Sequence, residues 1–109
     1  MNGFRGGFGG GNMQNIMRQA QKMQEDLNRA QEELKNTEVE GSAGGGMVVV
    51  KMTGDKEFKS ISLKKEAVDP DDIEMLEDLI KAAIIDATKK AEELSADKLG
   101  AFGNLGGLL

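Results

Sequence analysis

Apolar residues recur at steps of three and four in two long stretches of the chain, which predicts two amphipathic helices. In the first stretch, from Asn12 to Asn36, the steps alternate over three heptads, as in a coiled-coil seam. Its apolar members are Met13, Ile16, Ala20, Met23, Leu27, Ala30 and Leu34. The second stretch, from Asp69 to Leu94, has a broader apolar stripe that includes Ile73, Leu76, Ile80, Ala83, Ala87 and Leu94. Each helix therefore has a face that another element must cover.

The start of the second helix has several local signals. Asp69 is a good N-cap, because its carboxylate can accept a hydrogen bond from an unpaired N–H of the first turn. Pro70 then falls at the first helical position, where its missing N–H costs nothing. Asp71, Asp72 and Glu74 place negative charge at the positive end of the helix dipole. We therefore expect the helix to begin at Pro70.

Between the helices the period changes to two, which predicts strands. Thr37–Ser42 alternates weakly and suits an edge strand, and a glycine loop follows at Ala43–Gly46. Two further strands each have one apolar face, containing Val48, Val50 and Met52 in the first and Lys59, Ile61 and Leu63 in the second. The order predicts an α+β fold with a long helix, a three-stranded antiparallel sheet and a second long helix. We expect this domain to span residues 12–95, between flexible glycine-rich tails at 1–11 and 96–109.

Two pieces of the second helix carry a family resemblance, LEDLI at Leu76–Ile80 and AA-x-x-DA at Ala82–Ala87. In this order of elements, residues Met13–Glu93 resemble the YbaB/EbfC family of bacterial nucleoid-associated DNA-binding proteins. The resemblance implies a tweezer-like homodimer with projecting helices that binds double-stranded DNA in the nucleoid. The chain departs from the family at Ile85, where the family has Asn, and at Val49, where it often has a basic residue.

The lengths of the elements independently predict a homodimer. Helices of these spans are roughly 36 and 39 Å long, whereas six-residue strands span roughly 20 Å. The apolar stripes therefore extend past the sheet, and a second copy related by a two-fold axis is the simplest cover. The candidate core and dimer residues are Ile16, Met23, Leu27, Val48, Val50, Leu76, Ile80 and Ala83.

The residue types present argue against an enzyme. The chain has neither Cys nor His, which removes thiol chemistry, the usual general base and the commonest metal ligand. Ser60 and Ser62 lie near lysines, but strand alternation explains them, and helix capping explains Asp69 and its neighbouring acids. We expect no catalytic residue, metal, cofactor or small-molecule substrate. Apolar runs of four residues at most also predict no membrane partner, and hence a cytoplasmic protein.

The distribution of charge decides between two classes of function. The net charge is −5, which opposes nucleic-acid binding, but residues 69–94 hold nine acidic and three basic groups and account for the excess. Residues 12–24 contain no acid. The candidate DNA-binding residues form three clusters, ranked Arg18 and Lys22 first, then Lys51, Lys59, Lys64 and Lys65, then Lys89 and Lys90.

Because no aromatic residue lies within these clusters, base stacking is not expected. Together with the family resemblance, these clusters favour DNA binding through phosphates and shape, with little sequence preference. The resemblance also implies a role in organising the chromosome and influencing gene expression. The alternative is an acidic dimeric scaffold that binds other proteins and has no nucleic-acid role.

Overall fold

A computed structural model describes the backbone of residues 11–108 and the side chains of residues 12–100. The elements follow the predicted order: helix α1 (Gly11–Asn36), strands β1 (Glu38–Ala43), β2 (Val48–Thr53) and β3 (Phe58–Leu63), and helix α2 (Ile73–Leu108). The strands form one antiparallel sheet in the order β1-β2-β3. The predicted α+β class, with two long helices around a three-stranded antiparallel sheet, is confirmed. The tail predicted at residues 1–11 lies outside the described residues, except Gly11.

The core lies between α2 and the first two strands. Val48, Val50 and Met52 of β2 are buried, and so are Ala83, Ala87 and Ala91 of α2. Small side chains on the helix let it approach the sheet closely, and Gly41 of β1 completes the contact. A Cβ at Gly41 would collide with the backbone of Ala83 and Ala87. Helix and strand therefore meet backbone to backbone at this point.

A tight turn joins β2 to β3 and also holds the end of α1. The N–H of Gly54 is 2.9 Å from the carbonyl oxygens of both Leu34 and Thr37. A Cβ on Gly54 would lie 2.8 Å from Leu34 Cδ2, so a larger residue would push the helix away. The buried Thr53 hydroxyl accepts the N–H of Glu57 at 2.9 Å. Leu34 is 3% exposed, so this turn fixes the helix to one end of the sheet.

The predicted start of α2 is wrong by three residues. The helix begins at Ile73, and Asp72 caps it, because the Met75 N–H donates to Asp72 Oδ1 at 3.2 Å. Asp69 instead closes a preceding turn, accepting the Asp71 N–H on its side chain at 2.9 Å and the Asp72 N–H on its carbonyl at 3.0 Å. Pro70 fits the second position of such a turn as well as it fits a first helical turn.

The predicted end of α2 is also wrong. The helix does not end at Leu94, and residues 96–108 continue it instead of forming a flexible tail. A helical glycine costs only about 1 kcal/mol relative to alanine, and no proline interrupts the segment. Half-buried Leu94 and Leu99, together with a 3.2 Å ion pair from Lys98 Nζ to Glu33 Oε2, tie this part of α2 to α1. These contacts hold α2 against α1 as far as Leu99.

Strand β3 differs from the prediction of a simple alternating strand. Val50 pairs with Ile61 and Val48 with Leu63, but an irregularity between Lys51 and Met52 leaves Met52 opposite Phe58. Lys59 therefore falls out of the apolar row to which the alternation assigned it. Every residue of β3 is exposed, because α2 covers β1 and β2 but not β3.

Candidate nucleic-acid interface

The first-ranked cluster lies on the free half of α1. Arg18 and Lys22 are one helical turn apart, and with Asn15 and Gln19 they line a shallow depression of about 280 Å³. All four side chains are exposed. Within the described residues neither Arg18 nor Lys22 forms an ion pair. The face therefore has two basic groups and two amides that are free to donate hydrogen bonds to an anion.

This half of α1 extends beyond the body of the protein. Ile16 is 59% exposed and Met23 is 42% exposed, whereas Leu34 at the other end is buried. We call residues 12–24 of α1 the arm. Leu27 is half-buried, so the seam passes from exposed to covered along a single helix. Ile16 and Met23, which the sequence assigned to the core or the dimer interface, are exposed in the single chain, because no described element packs on the arm. Their place in a dimer interface stays a prediction.

The other candidate core residues are buried in the single chain to different extents. Val48, Val50 and Ala83 are buried in the core. Leu76 and Ile80 are partly buried at its border. The helix repeat and the strand alternation thus located the core correctly wherever the chain covers itself.

The strand lysines have acidic neighbours. Lys51 is exposed on β2 and pairs across the strands with Glu40 and Ser60. Lys59 Nζ lies 3.7 Å from Glu57 Oε1. Since opposite charges sit beside both lysines, this part of the sheet has a weaker positive field than the arm.

Lys64 and Lys65 lie at the other end of the sheet. They follow β3 and open a short 3₁₀ turn, Lys65–Ala67, and both side chains are exposed. Neither forms an ion pair among the described residues. The arm leaves from the opposite end of the sheet, and Arg18 lies about 24 Å along α1 from Leu34. A single chain therefore does not bring the arm and these lysines together.

Lys90 has a structural role that the sequence did not reveal. Its Nζ donates to the Glu40 carbonyl at 2.9 Å and lies 3.4 Å from Asp86 Oδ2. Asp86 in turn accepts the Ser42 N–H at 3.0 Å. This hydrogen bond, together with Lys90 and Lys89, lowers the pKa of Asp86 below its ordinary value. Lys90 is thus engaged with β1, which supports the low rank of this cluster, whereas Lys89 remains exposed.

Two further apolar surfaces, one on β3 and one on α2, were missed by the sequence clusters. Ile61 and Leu63 are 39% and 43% exposed on the same row as the buried Val50 and Val48. On α2, a depression of about 400 Å³ is lined by Ile80, Ile84 and Ile85, with Glu77 and Lys81 at its rim. We call Ile61, Leu63, Ile80, Ile84 and Ile85 the β3 patch. The apolar alternation of β3 was the signal for it.

The described residues offer little for other kinds of site. They hold no group of three or more acidic residues arranged to bind a metal ion. None of the described helices is long and apolar enough to cross a membrane. A groove of about 550 Å³ between the two helices is lined largely by polar side chains, including Asn28, Gln31 and Ser95. The arm is therefore the candidate site with the least compensated charge.

Known proteins resemble this chain along almost all of its length. The model of the YbaB/EbfC DNA-binding family matches residues 9–107. A nucleoid-associated protein of Ruminiclostridium cellulolyticum is 52% identical over 107 residues, covering 97% of this chain and 93% of that protein. A nucleoid-associated protein of Clostridium botulinum (strain Alaska E43 / Type E3) is 56% identical over 108 residues, covering 97% and 96%.

A solved structure supports the fold as well. The crystal structure of an uncharacterized protein from Helicobacter pylori matches with a TM-score of 0.66 and 26% identity, covering 83% of this chain and 92% of that chain. Since the family model spans nearly the entire sequence and the relatives share half of their residues with it, this chain belongs to the YbaB/EbfC DNA-binding family.

Proposed function

We propose that this protein binds double-stranded DNA as a homodimer with little sequence preference, and that it organises the chromosome and influences gene expression. The observation that carries the proposal is the basic face of the arm. Arg18 and Lys22 are exposed there and form no ion pair among the described residues, and residues 12–24 contain no acid. Membership of a DNA-binding family makes DNA the first ligand to consider for this face.

The chemistry of the arm suits phosphates more than bases. Guanidinium and ammonium groups donate to phosphate oxygens, and the side-chain amides of Asn15 and Gln19 can do the same. The arm contains no aromatic residue on which a base could stack. Such contacts position a duplex without distinguishing its sequence. The acidic start of α2 would repel the same duplex, so DNA should approach from the side of the arm.

The β3 patch supports the homodimer. The sheet has two edge strands, and at β1 Asp86 and Lys90 already bind two backbone groups, the Ser42 N–H and the Glu40 carbonyl. The open edge strand β3 exposes Ile61 and Leu63. The apolar depression on α2 is bordered by charges of both signs, Glu77 and Lys81. When this surface meets its copy across a two-fold axis, charges of opposite sign can therefore face each other. A dimer formed here would carry two arms and so twice the basic surface.

The second candidate function is a protein-interaction scaffold without a nucleic-acid role. The acidic first half of α2 and the exposed methionines of the arm favour it, because methionine-rich surfaces adapt to varied partners. The two functions predict different responses of DNA affinity to salt, since only phosphate contacts release counterions from DNA.

A salt titration of DNA affinity separates the two functions. If a dimer contacts about five phosphates, the logarithm of the binding constant should fall with a slope near −4.5 against the logarithm of salt concentration, a loss of roughly 500-fold between 50 and 200 mM. An affinity that stays flat over this range would favour the scaffold. The chain has no Trp or Tyr, so nucleic acid retained in purification would also dominate the ultraviolet spectrum at about 260 nm.

A charge-reversal pair locates the contact. Arg18→Glu with Lys22→Glu should abolish DNA binding and leave the dimer intact, because both side chains point away from the apolar residues. Arg29→Glu with Lys35→Glu is the matched control, on the same helix and with the same change in charge but outside the acid-free arm. Equal loss in both variants would indicate a general charge effect and would contradict the assignment of the site to the arm.

A further inference from the structure

The arm carries a second exposed surface besides its basic face. Met13 is 57% exposed, Ile16 59% and Met23 42%, and Ala20 between them is exposed too. These residues continue the heptad stripe that is half-buried at Leu27 and ends buried at Leu34. We call Met13, Ile16, Ala20 and Met23 the arm seam. Its residues have the spacing with which helices pair, although no described residue covers them.

The charges of the arm all lie off the seam. The positions beside it are held by Met17, Gln19 and Gln24, which carry no charge. Arg18 and Lys22 fall on the far side of the helix, because each is more than 100° from the centre of the seam at about 100° per residue. A helix docked on the seam therefore meets no like charge and leaves the basic face open.

We propose that the arm seam pairs with the arm seam of a second copy in an antiparallel arrangement. With the two-fold axis near Ala20, Met13 and Ile16 of one arm lie against Met23 and Leu27 of the other. The first turn of α1 has no acid of its own, and this arrangement brings Asp26 of the second copy, which flanks the seam, beside its positive dipole end. A parallel pair would instead place two acid-free, basic segments side by side.

The small size of the arm seam limits the strength of the pairing between two arms. Four side chains per arm are far fewer than the roughly 20–30 residues per partner in a stable interface. Arm pairing is therefore weak in solution and becomes effective where copies are concentrated, as on DNA. Since the basic faces then point outward on opposite sides, paired arms hold two duplex segments together. This bridging rests on the proposed DNA binding, whereas the pairing itself does not.

The absence of cysteine allows a direct test of pairing in the full chain. Ala20→Cys places a thiol at the proposed axis, and Gln21→Cys places one about 100° around the same helix as the control. On long duplex DNA under mild oxidation, the Ala20 variant should form at least about fivefold more disulfide-linked dimer than the control. Equal cross-linking of the two variants would overturn the proposal.

Bridging is tested by capture of a free duplex on an immobilised one. Ile16→Ser with Met23→Ser should reduce capture at least about tenfold while binding to a single short duplex stays within about twofold. Gln14→Ser with Gln21→Ser is the control and should capture like the parent. Unchanged capture by the seam variant would refute bridging through the seam. If the parent binds no duplex, the proposed function fails, and cross-linking at about 1 mM protein without DNA still decides whether arms pair.

Discussion

The two edge strands of the sheet, β1 and β3, differ in what covers them. At β1, Asp86 accepts the Ser42 N–H and Lys90 donates to the Glu40 carbonyl, so side chains of α2 take the hydrogen-bonding positions of a neighbouring strand. Gly41 of the same strand meets the α2 backbone directly. At β3 every residue is exposed, and Ile61 and Leu63 lack a helix above them. The chain thus covers one edge itself and leaves the other open.

This asymmetry indicates which surface is available for association. An uncovered edge strand is a template for pairing with another chain, and proteins usually cover or charge such edges. Here the covered edge cannot accept a new strand without breaking contacts to α2. The open edge adjoins apolar side chains that are expensive to leave in water. A second copy at β3 would complete what the single chain lacks.

The largest expected effect comes from disrupting the covered side. Gly41→Val would drive its side chain into the backbone of Ala83 and Ala87, which cannot rotate away. We expect a loss of about 3 kcal/mol or more, at the upper end for overpacking, or roughly 12 °C or more in melting temperature. Thermal unfolding followed by circular dichroism measures this.

Gly45→Asn is the control for that substitution. Gly45 has a φ of +68° with open space around it, and Asn tolerates this backbone conformation better than most residues. It should stay within about 1 kcal/mol of the parent. A Gly41 variant as stable as this control would mean that α2 does not approach β1 as closely as the structure has it.

The next effect concerns the open side. Leu63→Glu would place a charge within the β3 patch, and burying it against a second copy should weaken the dimer by about 2 kcal/mol or more. The monomer should remain folded, because Leu63 is already 43% exposed. Sedimentation equilibrium at micromolar concentration should show a shift toward monomer. Ser62→Glu on the same strand, pointing to the opposite face, should leave the dimer intact, and a monomeric control would place the interface elsewhere.

A feature of the two sheet edges could be predicted from the sequence only where the interacting residues lie close together along the chain. The end of α1 at Asn36 and the buried face of β2 follow from a local period, and both were confirmed. The start of α2 was missed because Asp69 and Asp72 are equally good caps, and the chain uses Asp69 to close a turn and Asp72 to cap the helix. The bonds from Asp86 to Ser42 and from Lys90 to Glu40 join residues 44 and 50 positions apart, which no local pattern encodes.

The candidate site was predictable to a similar extent. The shared face of Arg18 and Lys22 follows from helical spacing, and the structure agrees that both are exposed. Their role in DNA binding stays a prediction. The lengths of the helices and strands predicted that the apolar stripe would extend past the sheet, but the heptad pattern does not indicate at which residue the cover ends. Where the covering element ends is a property of the tertiary structure.

A smaller loss of stability should separate the contribution of the Asp86 charge from that of its hydrogen bond at the β1 edge. The folded pKa of Asp86 is lowered, chiefly by the Ser42 N–H and then by Lys90. Its ionised form therefore stabilises the fold above the unfolded pKa of about 3.9, and this contribution is lost as pH falls through the lower folded pKa. Asp86→Asn keeps an acceptor for Ser42 but removes the charge. At neutral pH this variant should have a lower free energy of unfolding than the parent, with a smaller loss than Gly41→Val causes. At strongly acid pH the difference from the parent should vanish.

Urea unfolding of both proteins from neutral to strongly acid pH measures this difference. Asp78→Asn on the same helix is the control, since the described residues give Asp78 no ion pair or hydrogen bond with β1. If the stability difference between parent and Asp86→Asn were the same at every pH, the charge of Asp86 would have no part in closing the β1 edge.

The smallest effect should come from the ion pair that joins the two helices. Lys98 Nζ and Glu33 Oε2 are 3.2 Å apart, with side chains 30% and 53% exposed. An exposed pair of this kind contributes at most about 0.5–1 kcal/mol and is screened by salt. Lys98→Gln should therefore lower the melting temperature by a few degrees at low salt and by almost nothing at about 1 M salt. Leu99→Ala, which removes half-buried apolar surface from the same turn, should lose stability at both salt concentrations. If Lys98→Gln cost as much as Leu99→Ala at low salt, the ion pair would join the two helices as strongly as packing does. The covered side of the molecule would then depend on charge far more than the buried alanines and valines of its core indicate.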